Sequence, residues 1–236
     1  MKNRSGEKMS EGLNANAARR ARAGRTNSLV RFVVIGAFVF GVLPAPGGAL
    51  LFAQPQKSGT NANKAPRVNA APLRAWLAQA KRQKDAGRLD LAGPRAVTIE
   101  ADRAEDGTLS NAVITGPSAR DPQMRKLAQD FVAALNQSRA LGFLQDVSHV
   151  RMNFALDGER FKTDSASDAP TAQRAEEMAR GYRTMVNVAR LMRRGTDEAA
   201  VLNNMKFSSN GKQLLMSLDM PREQMGNLLL KQITPN

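Results

Sequence analysis

Residues 97–135, VTIEADRAEDGTLSNAVITGPSARDPQMRKLAQDFVAAL, hold the pattern that decides the fold. Val97, Ile99 and Ala101 alternate with polar residues, as a half-buried strand requires. Asp106-Gly107 then breaks the run, and a second apolar run, Thr108 to Thr115, follows. Asp-Gly and Asn-Gly suit a two-residue hairpin in which both central residues take positive φ. Asp121-Pro122 reads as a side-chain cap followed by a proline in the first helical turn. Met124, Leu127, Ala128, Phe131 and Leu135 then recur on one helical stripe.

The pattern recurs twice. Asp157-Gly158 and Asn210-Gly211 stand 51 and 53 residues after the preceding glycine of the series, and Pro170 and Pro221 open the next two helices. In the second unit Val150, Met152, Phe154 and Leu156 share one face, with His149, Arg151 and Asn153 on the other. The return strand, from Glu159 to about Ser165, is polar and is expected at a sheet edge. Its helix carries Ala175, Met178, Ala179, Tyr182, Met185, Val186, Ala189 and Met192 in one stripe, with Glu176 and Arg180 paired on the wet face. Thr196-Asp197-Glu198 reads as the capped start of a short extra helix. The third unit runs from Met205 to Ser209, returns over Lys212 to Asp219, and ends in a helix with Met225, Leu228, Leu229 and Ile233 inward. The fold class is therefore α+β: three strand–strand–helix repeats forming an antiparallel sheet, with the helices packed on one face.

Charge divides the chain differently. The net +14 comes from 8 Lys/Arg against 2 Asp/Glu in residues 1–53, 9 against 2 in 54–95, and 18 against 17 in 96–236. A nucleic-acid-binding fold needs its basic residues gathered on the folded body, so nucleic acid is not an expected partner. Residues 1–31 form a basic leader, and residues 32–53 are apolar without an ionisable side chain. That length can cross a hydrocarbon core, which takes about 20 helical residues. Two readings stand: a secretory signal cut after Ala53, or an uncleaved single span giving membrane association through 32–53. Either exports the rest of the chain across the inner membrane, to the periplasm or beyond. Residues 54–95 read as a disordered linker with a short basic amphipathic helix bearing Leu73, Trp76, Leu77 and Ala80. Docking of Trp76 on the domain is the alternative to its lying on a membrane surface. The α+β domain is placed at 96–236.

Catalytic chemistry is sparse. The chain has no cysteine and one histidine, His149, too few for zinc or thiol chemistry. As a general base His149 would need an orienting carboxylate, for which Asp146 and Asp157 are neighbours in sequence, and a nucleophile. Asp102, Glu105 and Asp106 lack the closing glutamate of an EF-hand loop and read as an exposed turn. Gly116-Pro117-Ser118 lacks the Lys-Ser/Thr ending of a phosphate loop, and Asp121 beside it would repel an anion. The 11 methionines read as core filler. No catalytic, cofactor or metal site assembles. The expected function is a non-catalytic protein-binding or scaffolding module of the cell envelope, with a secreted enzyme using a site around His149 as the alternative.

Residues 97–144 resemble the C-terminal domain of TonB-type energy transducers. The likeness rests on strand Val97–Ala101, turn Asp106-Gly107-Thr108-Leu109, strand Asn111–Thr115, loop Gly116-Pro117-Ser118 and helix Leu127–Leu135. The basic N-terminus, single apolar segment and linker are similar too. The resemblance implies a domain that binds an envelope protein by lending a strand edge to a short segment of it. The family carries a histidine in its membrane span, which residues 32–53 do not.

Overall fold

The computed structural model describes residues 68–234. The basic leader, the apolar segment and the first part of the linker lie outside them. Among the described residues no helix is long and apolar enough to cross a membrane.

The elements follow in the order α1 (Ala71–Asp85), β1 (Arg95–Arg103), β2 (Leu109–Thr115), a 3-10 turn (Pro117–Arg120), α2 (Pro122–Ser138), β3 (His149–Leu156), β4 (Arg160–Asp168), α3 (Ala172–Met192), α4 (Asp197–Asn204), β5 (Met205–Asn210), β6 (Gln213–Pro221) and α5 (Arg222–Ile233). The six strands form one antiparallel sheet in the order β2-β1-β3-β4-β6-β5. Three hairpins thus lie side by side. The first two meet through their leading strands and the last two through their returning strands.

Register explains why the helices gather on one side. Cross-strand partners place Ile114, Ile99, Met152, Ser165, Met216 and Phe207 in one row, and Val97, Phe154, Thr163, Leu218 and Met205 in the next. Side chains alternate between faces, so both rows point the same way. Over this face α2 buries Met124, Ala128, Phe131 and Leu135, α3 buries Ala175, Met178, Ala179, Val186 and Ala189, and α5 buries Met225 and Leu228. Met192 leaves the predicted stripe and is exposed. One core cluster lies under α1, α2 and the first half of α3, and a second under the end of α3, α4 and α5.

Two expectations are corrected. Leu73 and Leu89 are buried in the first cluster, so the folded body begins well before residue 96. Helix α1 lies on α2: the Trp76 ring sits 4.8 Å from that of Phe131, and Trp76 Nε1 donates to the Leu127 carbonyl at 3.1 Å. A stripe too short to hold an isolated helix is held here by a second layer. The second correction concerns β4, expected at an edge and found between β3 and β6. Beyond Phe161, which packs on the second cluster, its inward side chains are small hydroxyls, with Thr163 and Ser167 buried. Hydroxyl content made the strand look wet, but polarity reports the face of a strand and not whether its backbone edge is paired.

The turns also differ from expectation in detail. Neither Asp106, Asp157 nor Asn210 has positive φ; among the three glycines only Gly107 and Gly211 do. Asn210 pairs with Gln213, so Gly211-Lys212 is the two-residue loop, with glycine in its first position. Asp157 instead builds a four-residue turn. Its N–H donates to the Arg160 carbonyl at 3.0 Å, and its carboxylate accepts the Glu159 and Arg160 amides. Those amide bonds, that to Glu159 first, hold the Asp157 carboxyl below its usual range. Helix α3 starts after Thr171, whose hydroxyl accepts Arg174 N–H at 3.0 Å, two residues beyond the expected start at Pro170. At α4 the Thr196 hydroxyl bonds back to the Arg193 carbonyl and does not cap.

Candidate protein-binding face

With all helices on one side, the other face of the sheet is bare. The register assigns it four rows, two of which run from Val113 and from Ser110. The first is Val113-Glu100-Arg151-Ala166-Leu215-Ser208 and the second is Ser110-Asp102-His149-Asp168-Gln213-Asn210. Opposite charges meet across strands: Arg151 reaches Glu100 directly opposite at 3.2 Å, and Arg160 reaches Asp219 on the diagonal at 2.8 Å. Such exposed pairs add little stability, but they leave the face close to neutral and spread no single sign across it. It holds a depression of about 350 Å³ lined by Arg151, Asn153, Asp164, Ser208, Leu215 and Ser217, among others.

His149 stands on this face, half-exposed, where its strand alternation put it. Its carboxylate partner is neither neighbour in sequence. Asp146 is held by Arg174 at 2.9 Å and Asp157 is spent on its own turn. The partner is Asp102 on β1, whose Oδ1 lies 3.1 Å from His149 Nδ1. Asn111 Nδ2 donates to the other Asp102 oxygen at 2.8 Å, and these two bonds, Asn111's first, hold the Asp102 carboxyl low. Asn111 has φ of 51° at an irregularity in the β1–β2 register, which turns its amide toward Asp102. No hydroxyl hydrogen-bonds to His149 among the described residues.

The other sequence candidates disperse. Asp102 goes to His149, Glu105 is exposed, and Asp106 binds the Thr108 amide and hydroxyl at 2.9 and 2.6 Å while pairing with Arg139. Ser118 accepts the Ala96 amide at 3.0 Å, and Asp121 caps α2 through the Gln123 amide at 2.8 Å. The loop from Gly116 thus ties β1 to α2. No group of three or more His, Asp and Glu residues is close enough to hold a metal ion among the described residues.

The sheet has two unpaired edges, β2 and β5, and each is guarded at one end by a helix side chain. Asn136 of α2 donates to the Leu109 carbonyl at 2.9 Å and accepts its N–H at 2.7 Å, imitating one residue of a neighbouring strand. Arg190 of α3 donates to the Met205 carbonyl at 3.0 Å and to that of Leu202 at 2.9 Å. These guards follow from strand order, so no local pattern announced them. Beyond Leu109, every β2 residue except the half-buried Ile114 is exposed, Val113 at 55%. Strand β5 is more covered, with Phe207 stacked on Tyr182 at 5.2 Å.

No protein-family model matches this chain, and it has no match among curated proteins or solved structures.

Proposed function

We propose that this protein is a non-catalytic binding module of the cell envelope, capturing an extended segment of a protein partner on the β2 edge. The observation that carries the reading is β2 itself. It is an edge strand, exposed over most of its length and bonded to a helix side chain only at Leu109. An added strand would find backbone groups for its ladder and Val113 for side-chain contact. The TonB-like form of the reading makes the partner an outer-membrane receptor segment and residues 97–144 the part that resembles the family. The apolar 32–53 segment supports an envelope location, as a cleaved signal or as an anchor.

The alternative, a secreted enzyme of unrecognised type using a site around His149, has the His149–Asp102 pair in its favour. Among the described residues no hydroxyl hydrogen-bonds to the imidazole, and the pair sits on a wet face.

The test compares the full chain with Val113→Lys and Ser208→Lys in capture from an envelope extract, with a hydrolase substrate panel run alongside. An edge charge blocks strand addition at little cost to stability. A partner held by the parent and by Ser208→Lys, and lost with Val113→Lys, is the expected result. Turnover that disappears with His149→Ala, with no partner sensitive to Val113, would reverse it. Mass spectrometry of the mature N-terminus separates the two locations, since Gln54 at the start means a cut after Ala53.

A further inference from the structure

Only four large hydrophobic side chains are exposed among the described residues: Val113 at 55%, Leu191 at 62%, Met192 at 67% and Leu230 at 41%. Val113 belongs to the β2 edge. Two of the other three, Leu191 and Met192, are adjacent at the end of α3. Leu230 stands beside Lys231, whose ammonium reaches Asp197 at 2.6 Å, just past the α3–α4 turn.

The unpaired charges at this tip are cationic. Arg193 and Arg194 follow Met192 directly, and no carboxylate pairs with either among the described residues. Of the two acids that follow, Asp197 is neutralised by Lys231, and Glu198 is buried. Arg183, two turns up the same helix, is exposed as well. Nothing in the fold needs this arrangement. The helix interface of α3 is complete with Val186 and Ala189 inward, and Arg190 faces the chain, bonding Leu202 and Met205.

We propose that this tip, Leu191-Met192-Arg193-Arg194, docks on an anionic lipid surface. Apolar side chains flanked by free arginines are the combination that seats at a headgroup boundary, the side chains entering the acyl edge while the cations meet lipid phosphates. Each basic residue near such a surface is worth roughly a fivefold gain in partitioning, which salt weakens. A protein partner of acidic character would match the arginines but leaves the two adjacent exposed apolar side chains without a reason. Seating here would also suit the fold. Helix α3 lies over β5 and β6, so β2, at the opposite edge of the sheet, stays clear of the bilayer. The inference is independent of any partner at β2.

The chain has no cysteine, so one introduced thiol gives a single labelling position. The full chain carrying Met192→Cys, labelled with a polarity-sensitive fluorophore, is titrated with vesicles of phosphatidylcholine alone or of an equimolar mixture with phosphatidylglycerol. Thr115→Cys on β2, labelled alike, is the control and reports separately any general insertion through residues 32–53. The label at 192 should move to an apolar environment with the mixed vesicles only, while that at 115 stays aqueous. Adding Arg193→Gln and Arg194→Gln should raise the lipid needed for half the response roughly 25-fold. Three results would each overturn the proposal: an aqueous label at 192 with both lipids, an equal response at 115, or indifference to the arginine changes. An equal response with phosphatidylcholine alone would do the same.

Discussion

Replacing Trp76 with alanine tests whether α1 is part of the body or an appendage to it. Trp76 is half-buried, so truncation removes about 100 Å² of apolar contact, worth ~2.5 kcal/mol at about 25 cal/mol per Å². The indole N–H gives up its bond to the Leu127 carbonyl, worth about 1 kcal/mol. That carbonyl lies inside α2 and keeps its helical partner, so no buried orphan is left and no further penalty follows. The expected loss is therefore about 3.5 kcal/mol, a large part of a typical domain's stability. Trp76→Phe keeps the ring against Phe131 and should lose only about 1 kcal/mol. The assay is urea unfolding of residues 68–236, followed by circular dichroism and, in the parent, by the fluorescence of its single tryptophan. Both signals should change at one midpoint, because α1 shares a core cluster with the sheet. A tryptophan transition that precedes the loss of secondary structure would refute the reasoning. So would a Trp76→Ala chain within about 0.5 kcal/mol of its parent, the range of an ordinary surface change.

Two further perturbations follow from particular atoms. Gly107→Ala should destabilise by about 2 kcal/mol or more, since φ there is +81° and an added Cβ would lie 2.5 Å from the Gly142 amide nitrogen. Gly158→Ala, in the same sequence motif, has ordinary φ and open space, and should be neutral or slightly stabilising; thermal melts of the two compare them directly. The single tyrosine, Tyr182, is pushed up to about 12 by burial, with its hydroxyl donating to the Phe143 carbonyl at 3.1 Å. Its raised folded value means that its contribution to stability is whole below about pH 10 and is lost as pH climbs toward 12. Phenolate absorbance that appears near pH 10 while the fold persists would contradict this placement.

The repeat was legible because β1, β3 and β6 are apolar on one side only, which makes alternation visible without neighbours. His149 to Leu156 stands out for this reason, with Val150 and Met152 buried and Arg151 exposed. Pairing was not legible, since a strand's own residues say nothing about what lies at its backbone edge. That is why β4, with Thr163 and Ser167 under the helices, read as an outer strand, and why β2 and β5 were not named as edges. Helix α1 was visible as a four-residue stripe, but the acceptor for its tryptophan lies 51 residues away on α2. The same limit hid the site. Asp102 and His149 are 47 residues apart and meet only when β1 takes its place beside β3. Asp146 and Asp157, nearer in sequence, are already engaged by Arg174 and by the 157–160 turn.

One-sided covering also sets the terms on which anything can bind. The bare face carries cross-strand charge pairs and half-buried small or aliphatic residues, so it has little apolar area to give a partner. A flat surface of that kind binds weakly on burial alone, whereas backbone pairing at an edge is directional and needs no apolar patch. Unguarded edges, however, invite chains of like kind to add without limit. Asn136 at Leu109 and Arg190 at Met205 answer that hazard by occupying one residue's groups on each edge, leaving a strand end too short for an indefinite ladder. The register irregularity at Asn111 bends the free part of β2 and directs its amide to Asp102, so the open stretch is confined to the residues around Val113. A partner adding there would therefore be recognised over a few residues, with specificity resting on Val113 and on the charges of Glu100 and Arg151 beside it.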